Sequence, residues 1–184
     1  YYHSSYLGKP HDHLWMNTTS PTLMYEELRK AYDMTADRIW LLNAGDIKSC
    51  EFAVDFFLSM AYDIDSFNFD RAATYRTEWL CGMLGDEYRN EYQDVINSFY
   101  KLAFARRPEF MGWGYQWATD KHGRERNTDT DFSLTNYREV DSRLSEYRRI
   151  GSITEKILNK LPEEKKACFY QSCLLYTSDA ADDK

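Results

Sequence analysis

No run in this sequence approaches the roughly 18 consecutive apolar residues of a membrane-spanning helix, so no membrane partner is expected. Positive charge is also short: 23 Lys and Arg stand against 30 Asp and Glu, a net charge of −7. Phosphate-binding surfaces are usually basic, which makes nucleic acid a poor partner. The acidity favours solubility and names no partner by itself. Cysteine is sparse. Cys50, Cys81, Cys168 and Cys173 show no CxxC pair and no regular spacing, so neither a disulfide framework nor a cysteine metal site is supported. There is no GxSxG nucleophile turn and no Gly-rich phosphate loop. No cofactor is expected. No leader sequence is visible, and the chain starts at Tyr1-Tyr2-His3 without Met, so the true N-terminus is expected upstream.

What is present is a globular mixture: 43% hydrophobic and 29% charged residues. Aromatics are abundant, with 15 Tyr, 10 Phe and 5 Trp. Packing between helices accounts for most such rings, because each buries a large area. The alternative role is a sugar site, where rings stack on the CH faces of pyranoses.

The first part reads as α/β. Ser20-Pro21 is an N-cap followed by Pro at the first helical position, and Leu23, Leu28, Ala31 and Tyr32 suit a helix to about Met34. Arg38-Ile39-Trp40-Leu41-Leu42-Asn43 is a short apolar run bounded by Asp37 and Gly45-Asp46. It reads as a buried parallel strand. Helix, loop, strand, loop, helix is the unit of a (β/α) barrel or a doubly wound sheet. The second part reads as all-α, with helices over 51–61, 70–84 (closed by Gly85), 86–106 (ended by Pro108), 134–161 and from Pro162 to Tyr170. In the long helix Tyr137, Val140, Leu144, Tyr147, Ile157 and Leu161 fall near heptad spacing, as in a bundle, and Gly151 interrupts the pattern at a cost of about 1 kcal/mol. Residues 112–131, rich in Gly, Asn, Asp and Thr around Trp113 and Trp117, read as a loop. The expected division is 1–65, part of an α/β domain, and 66–172, a helical bundle domain. Cys173 to Asp182 resembles one translation frame of a transposase-type sequencing adapter, so 173–184 is expected to be a non-native tail.

In barrels and open α/β sheets, function gathers on the loops after the strands. Asn43 ends the apolar run where a polar residue has no packing purpose, and Asp46 and Lys48 follow at a Gly turn. An amide, an acceptor and a cation together suit a sugar hydroxyl or carboxylate. The plainer reading is a turn, with Asp46 capping the next helix. The other candidate segment runs from Tyr2-His3 through Tyr6, His11, Asp12 and His13 to Trp15. A polar, aromatic sugar subsite suits it better than a metal centre, since a helical HxxxH and a third dedicated ligand are lacking. The plainer reading there is a loop whose imidazoles are merely hydrogen-bonded. Glycoside hydrolysis needs two carboxyl groups flanking the bond, and only Asp12 and Asp46 lie near these loops.

Tyr-Tyr-His-Ser-Ser-Tyr-Leu-Gly-Lys-Pro-His-Asp-His-Leu-Trp (1–15) and Arg-Ile-Trp-Leu-Leu-Asn-Ala-Gly-Asp-Ile-Lys (38–48) resemble signature segments of the family-115 glycoside hydrolases. Ala105-Arg106-Arg107-Pro108-Glu109, Asn136-Tyr137-Arg138-Glu139 and Ala167-Cys168-Phe169-Tyr170-Gln171 fit the same pattern, in order, to about residue 171. The resemblance implies the C-terminal part of a (β/α) TIM-like barrel followed by a helical bundle, as an internal fragment of a larger enzyme, inactive alone. It implies removal of 4-O-methyl-glucuronic or glucuronic acid from α-1,2 branches of xylan, with inversion, and glucuronoxylan or its oligosaccharides as partners. It implies a secreted or periplasmic full-length protein and allows a homodimer. Tyr2, His3, Tyr6, Trp15, Asn43 and Lys48 are then substrate-binding candidates, with Asn43 and Asp46 the catalytic ones. Asn43 and Lys48 would contact the uronate. Two departures stand out: Ser49-Cys50 replaces a Pro after the Ile-Lys, and Thr35-Ala36 replaces a Gly before the strand. The alternatives are a non-catalytic carbohydrate-binding relative and a helical scaffold or interaction module. A barrel fragment leaves a sheet edge open, so self-association is expected.

Overall fold

The computed structural model describes residues 1–4, 16–45, 47–111, 113–119, 122, 125–129 and 131–174. In chain order the elements are β1 (Tyr2–His3), α1 (Pro21–Asp33), β2 (Leu42–Asn43), α2 (Glu51–Tyr62), α3 (Phe69–Leu84), α4 (Arg89–Ala105), β3 (Trp113–Thr119), β4 (Glu125–Asp129), α5 (Glu139–Lys160) and α6 (Glu163–Phe169). Short 3-10 turns join several of them, and a π turn, Tyr170–Leu174, follows α6.

The helices form where spacing and caps direct them. Ser20 caps α1 by accepting from the Leu23 N–H at 3.3 Å, and Pro21 fills the first turn. Asn68 caps α3, accepting from the Arg71 N–H at 2.8 Å. Gly85 ends α3 at φ 100°, a conformation that glycine reaches without a Cβ penalty.

Two hydrophobic clusters hold the chain together. One joins Met24 and Leu28 of α1 to Phe52, Phe56, Phe57 and Met60 of α2, then to Ile64, Phe67 and Ala72. The other joins Leu80 and Leu84 of α3, Tyr92, Val95 and Phe99 of α4, Tyr147, Ile150 and Ile157 of α5, and Phe169 of α6. The helix α3 serves both: Ala72 lies in the first, Leu80 in the second, and Trp79 packs against each.

Several expectations need correction. Residues 112–131 are not a loop: β3 and β4 pair antiparallel, from Trp113↔Asp129 to Thr119↔Glu125, with irregular register between. Trp113, Tyr115 and Trp117 recur at the strand period of two, but the Gly, Asn, Asp and Thr around them obscure it. The second half is therefore not all-α. The apolar run 38–43 is not a buried strand: only Leu42–Asn43 pairs with β1, parallel, while Ile39 is 81% and Leu41 59% exposed. Trp40 and Leu42 pack on the helices, and the alternate residues face the other side. Among the described residues β1 and β2 form a two-stranded sheet, so the barrel itself is not on show.

The buried stripe of α5 also differs. Tyr137 lies before the helix and is 94% exposed. The buried positions are Arg143, Tyr147, Ile150, Gly151, Thr154 and Ile157, and the helix runs through Gly151 without a break. Arg143 is buried because its guanidinium donates to the Leu102 carbonyl at 2.9 Å and to the Tyr147 hydroxyl at 3.4 Å. The tail expected from residue 173 is described only as far as 174. There Cys173 is buried in the second cluster.

Candidate functional site

The two short strands bring together residues forty positions apart. β1 and β2 run parallel with Tyr2↔Leu42 and His3↔Asn43 as partners. The Tyr2 N–H donates to the Leu41 carbonyl at 2.8 Å. Beyond His3, Ser4 is buried and donates twice to the Asn43 carbonyl, from its N–H at 3.0 Å and from its hydroxyl at 3.2 Å. These bonds lock the ends of both strands at one level.

The pleat then sorts the side chains. Successive residues of a strand face opposite ways, and paired residues of neighbouring strands face the same way. Tyr2 and Leu42 pack into the cluster of α1 and α2, with the Tyr2 ring stacked on Phe57 at 6.3 Å. His3 and Asn43 therefore share the opposite face, at the C-terminal ends of the strands. The Tyr1 ring meets His3 edge-on there, at 4.6 Å. Tyr2 stands behind this face and supports it from the helix side.

After β2 the chain turns sharply. Asn43 Oδ1 accepts from the Gly45 N–H at 3.3 Å, and Gly45 takes φ 67°. This bond leaves the amide NH2 group as the donor that Asn43 offers. Lys48 stands exposed on the turn before α2. The N-cap position of α2 is Cys50. Asp46, Tyr6, Trp15, His11, Asp12 and His13 lie outside the described residues. Among the described residues no group of three or more His, Cys, Asp or Glu side chains gathers to hold a metal, and no helix is long and apolar enough to cross a membrane.

Two polar constellations escape sequence reasoning. Arg76 of α3 is buried, donates to the Tyr100 hydroxyl at 2.7 Å and to the Ser172 carbonyl at 3.4 Å, and lies over the rings of Phe52, Phe99 and Tyr100. It ties α2, α3, α4 and the last turn together, and no local pattern marks it. Tyr75 of α3 reaches Asp55 Oδ2 at 2.9 Å and Ser59 Oγ at 2.8 Å on α2, and burial pushes its phenol up. Both join helices to one another, away from the strand ends.

The model of glycosyl hydrolase family 115 matches residues 1–110. Among solved structures, a family GH115 4-O-methyl-alpha-glucuronidase with specificity for decorated arabinogalactans is 32% identical, with a TM-score of 0.85. The alignment covers 98% of this chain and 23% of that one, so the chain spans about a quarter of the length of the structure it matches. No curated protein matches.

Proposed function

This chain belongs to glycosyl hydrolase family 115, and from that premise we propose that it is part of an α-glucuronidase acting on glucuronate-decorated plant polysaccharides. The reaction is hydrolysis of an α-1,2 branch carrying 4-O-methyl-glucuronic or glucuronic acid, with glucuronoxylan or its oligosaccharides as the first substrate to test. In an inverting course, water adds to the anomeric carbon as the glycosidic C–O bond breaks. One carboxyl group takes the proton of that water, and another protonates the leaving oxygen. Asp46 is the candidate from this chain for one of those carboxyls.

The observation that carries the reading is the common face of His3 and Asn43 at the ends of two parallel strands. Strand ends are where α/β enzymes assemble their sites. In this proposal the Asn43 amide and the Lys48 ammonium receive the uronate, His3 lines the pocket, and Tyr2 holds the strand from behind. Tyr6 and Trp15 belong to the same subsite. The exposed Ile39 and Leu41, on the face that His3 and Asn43 share, suit the inner wall of a barrel completed by further strands. The division into a barrel part, 1–65, and a helical domain, 66–172, belongs to the same proposal. So do a secreted or periplasmic location and a homodimeric full-length enzyme.

The test is Asn43→Asp in the complete enzyme. The exchange keeps an acceptor for the Gly45 N–H and replaces the NH2 donor with an oxygen that repels a uronate. A drop in kcat/KM of about 100-fold, with an unchanged melting curve, is the expected result, comparable to removing one preorganised donor. Unchanged turnover would reject Asn43 as a site residue and favour a non-catalytic, carbohydrate-binding role for these strands.

A further inference from the structure

The end of α4 and the start of α5 leave an open groove of about 660 Å³, within the range of ligand sites. Tyr137 and Lys101 stand on its rim with Arg138, Asp141, Ser142 and Ser145. Asp141, Ser142 and Ser145 fall at i, i+1 and i+4 on one side of the first turns of α5.

Tyr137 and Arg138 are consecutive non-glycine residues in the left-handed region, at φ 58° and φ 53°. A bulky side chain there is strained, and such strain persists where surrounding bonds enforce it. Here they do. Ser133 Oγ accepts from the Asn136 N–H at 2.6 Å and from the Thr135 N–H at 3.2 Å, and Glu139 Oε2 accepts from the Ser133 N–H at 3.0 Å. Arg106 in turn donates to Glu139 Oε1 at 3.5 Å. The outcome is a tyrosine held 94% exposed, making no ring, cation or hydrogen-bond contact with the described residues. Lys101, likewise, has no carboxylate within ion-pair distance among the described residues, whereas Asp141 lies 3.8 Å from Arg138.

We infer that this groove binds the main chain of a uronate-bearing polysaccharide, apart from the strand-end site. The Tyr137 ring offers a flat face to a pyranose. The hydroxyls of Ser142 and Ser145 and the carboxylate of Asp141 meet sugar hydroxyls, and Lys101 meets a uronate carboxylate. Lys101, Asp141, Ser142 and Ser145 stand in the lining beside the apolar Leu102 and Ala105, and Lys, Asp and Ser are depleted in the cores of protein interfaces, which favours a sugar over a protein partner. The open form suits an extended chain better than a single cleaved sugar. The inference rests on the reading of the substrate as a glucuronate-decorated polysaccharide.

The experiment is native affinity electrophoresis of the full 184-residue chain in gels containing glucuronoxylan and, in parallel, a glucuronate-decorated arabinogalactan. Retardation in either gel is expected, and the two arms tell the sources apart. Tyr137→Ala should weaken retention about tenfold and Tyr137→Trp should keep it, with unchanged circular dichroism in both. Lys101→Met should weaken retention only while the uronates are present. Turnover of the complete enzyme reads the strand-end site through Asn43→Asp, whereas retention reads the groove through Tyr137→Ala, so failure of the strand-end site and failure of this groove are separate results. No retardation in either gel, or equal retention by Tyr137→Ala, overturns the proposal. A dimer that light scattering finds dispersed by Tyr137→Ala also overturns it, because the groove would then seat a second copy.

Discussion

The backbone N–H of Ala36 donates to the Ala31 carbonyl at 3.0 Å, closing the end of α1 over Thr35, which is forced to φ 74°. This is the helix end that glycine serves best, because the left-handed residue carries no Cβ clash. Here a β-branched residue occupies it. Thr35→Gly should therefore stabilise the chain by about 1 kcal/mol, the relieved strain exceeding the extra entropy of the unfolded glycine. A rise of about 2–4 °C in Tm checks it. An unchanged or lower Tm would mean that Thr35 is held by contacts worth more than its strain.

Arg149 of α5 grips Asp94 of α4 with both terminal nitrogens, at 2.6 and 3.0 Å, and also takes Glu146 at 2.8 Å and Ser98 at 2.7 Å. Its hydrogen bonds hold the carboxyls of Asp94 and Glu146 below their ordinary values of 3.8 and 4.5. A carboxyl with a depressed folded pKa stabilises the fold above its unfolded value and ceases to do so as pH falls through the folded one. Stability from this clamp is thus complete above about pH 5 and is lost progressively below about pH 4. The fall of Tm as pH drops below about 5 should be shallower in Arg149→Met than in the wild type. Parallel slopes would show that the clamp does not couple to folding. The side chains are more than a third exposed, so solvent screens the gain and salt should shrink it.

Phe99 lies at the centre of the second cluster, against Tyr100 and under the Arg76 guanidinium. Truncation to Ala should cost about 3–5 kcal/mol, through lost burial and the cavity left behind. Leu58 sits on α2 but is 57% exposed. Leu58→Ala should stay within about 0.5 kcal/mol. Urea unfolding of both variants decides whether the clusters are correctly drawn, since equal losses would contradict them.

No disulfide joins the cysteines. Cys50, Cys81 and Cys173 are buried, and Cys168 is half-exposed beside Met83. Burial pushes the Cys173 thiol up to about 12 and also raises that of Cys81. The thiolate is the reactive species, so buried thiols of this kind are slow. Brief alkylation of the native chain at pH 8 should label Cys168 first, as read by peptide mass spectrometry. Early labelling of Cys173 would mean that the π turn after α6 opens readily.

The sequence by itself determined the helices, because their signals are local. Ser20-Pro21 and Gly85 mark ends that depend only on nearby backbone groups, and the apolar spacing of α4 depends only on the helical period. It also carried the family, since the segments 1–15 and 38–48 are contiguous strings. The tertiary structure alone decided the rest. The shared face of His3 and Asn43 depends on the register between strands forty residues apart. Arg76 and Arg143 read as surface charge until packing supplies the carbonyls, hydroxyls and rings that let a guanidinium be buried. Tyr137 falls on the heptad spacing of the sequence, yet it is exposed, because it lies before the first turn of α5. The β3–β4 hairpin shows the same limit from the other side. Its strands are stabilised by each other, and a pairing partner is a property of the fold, not of the local residues.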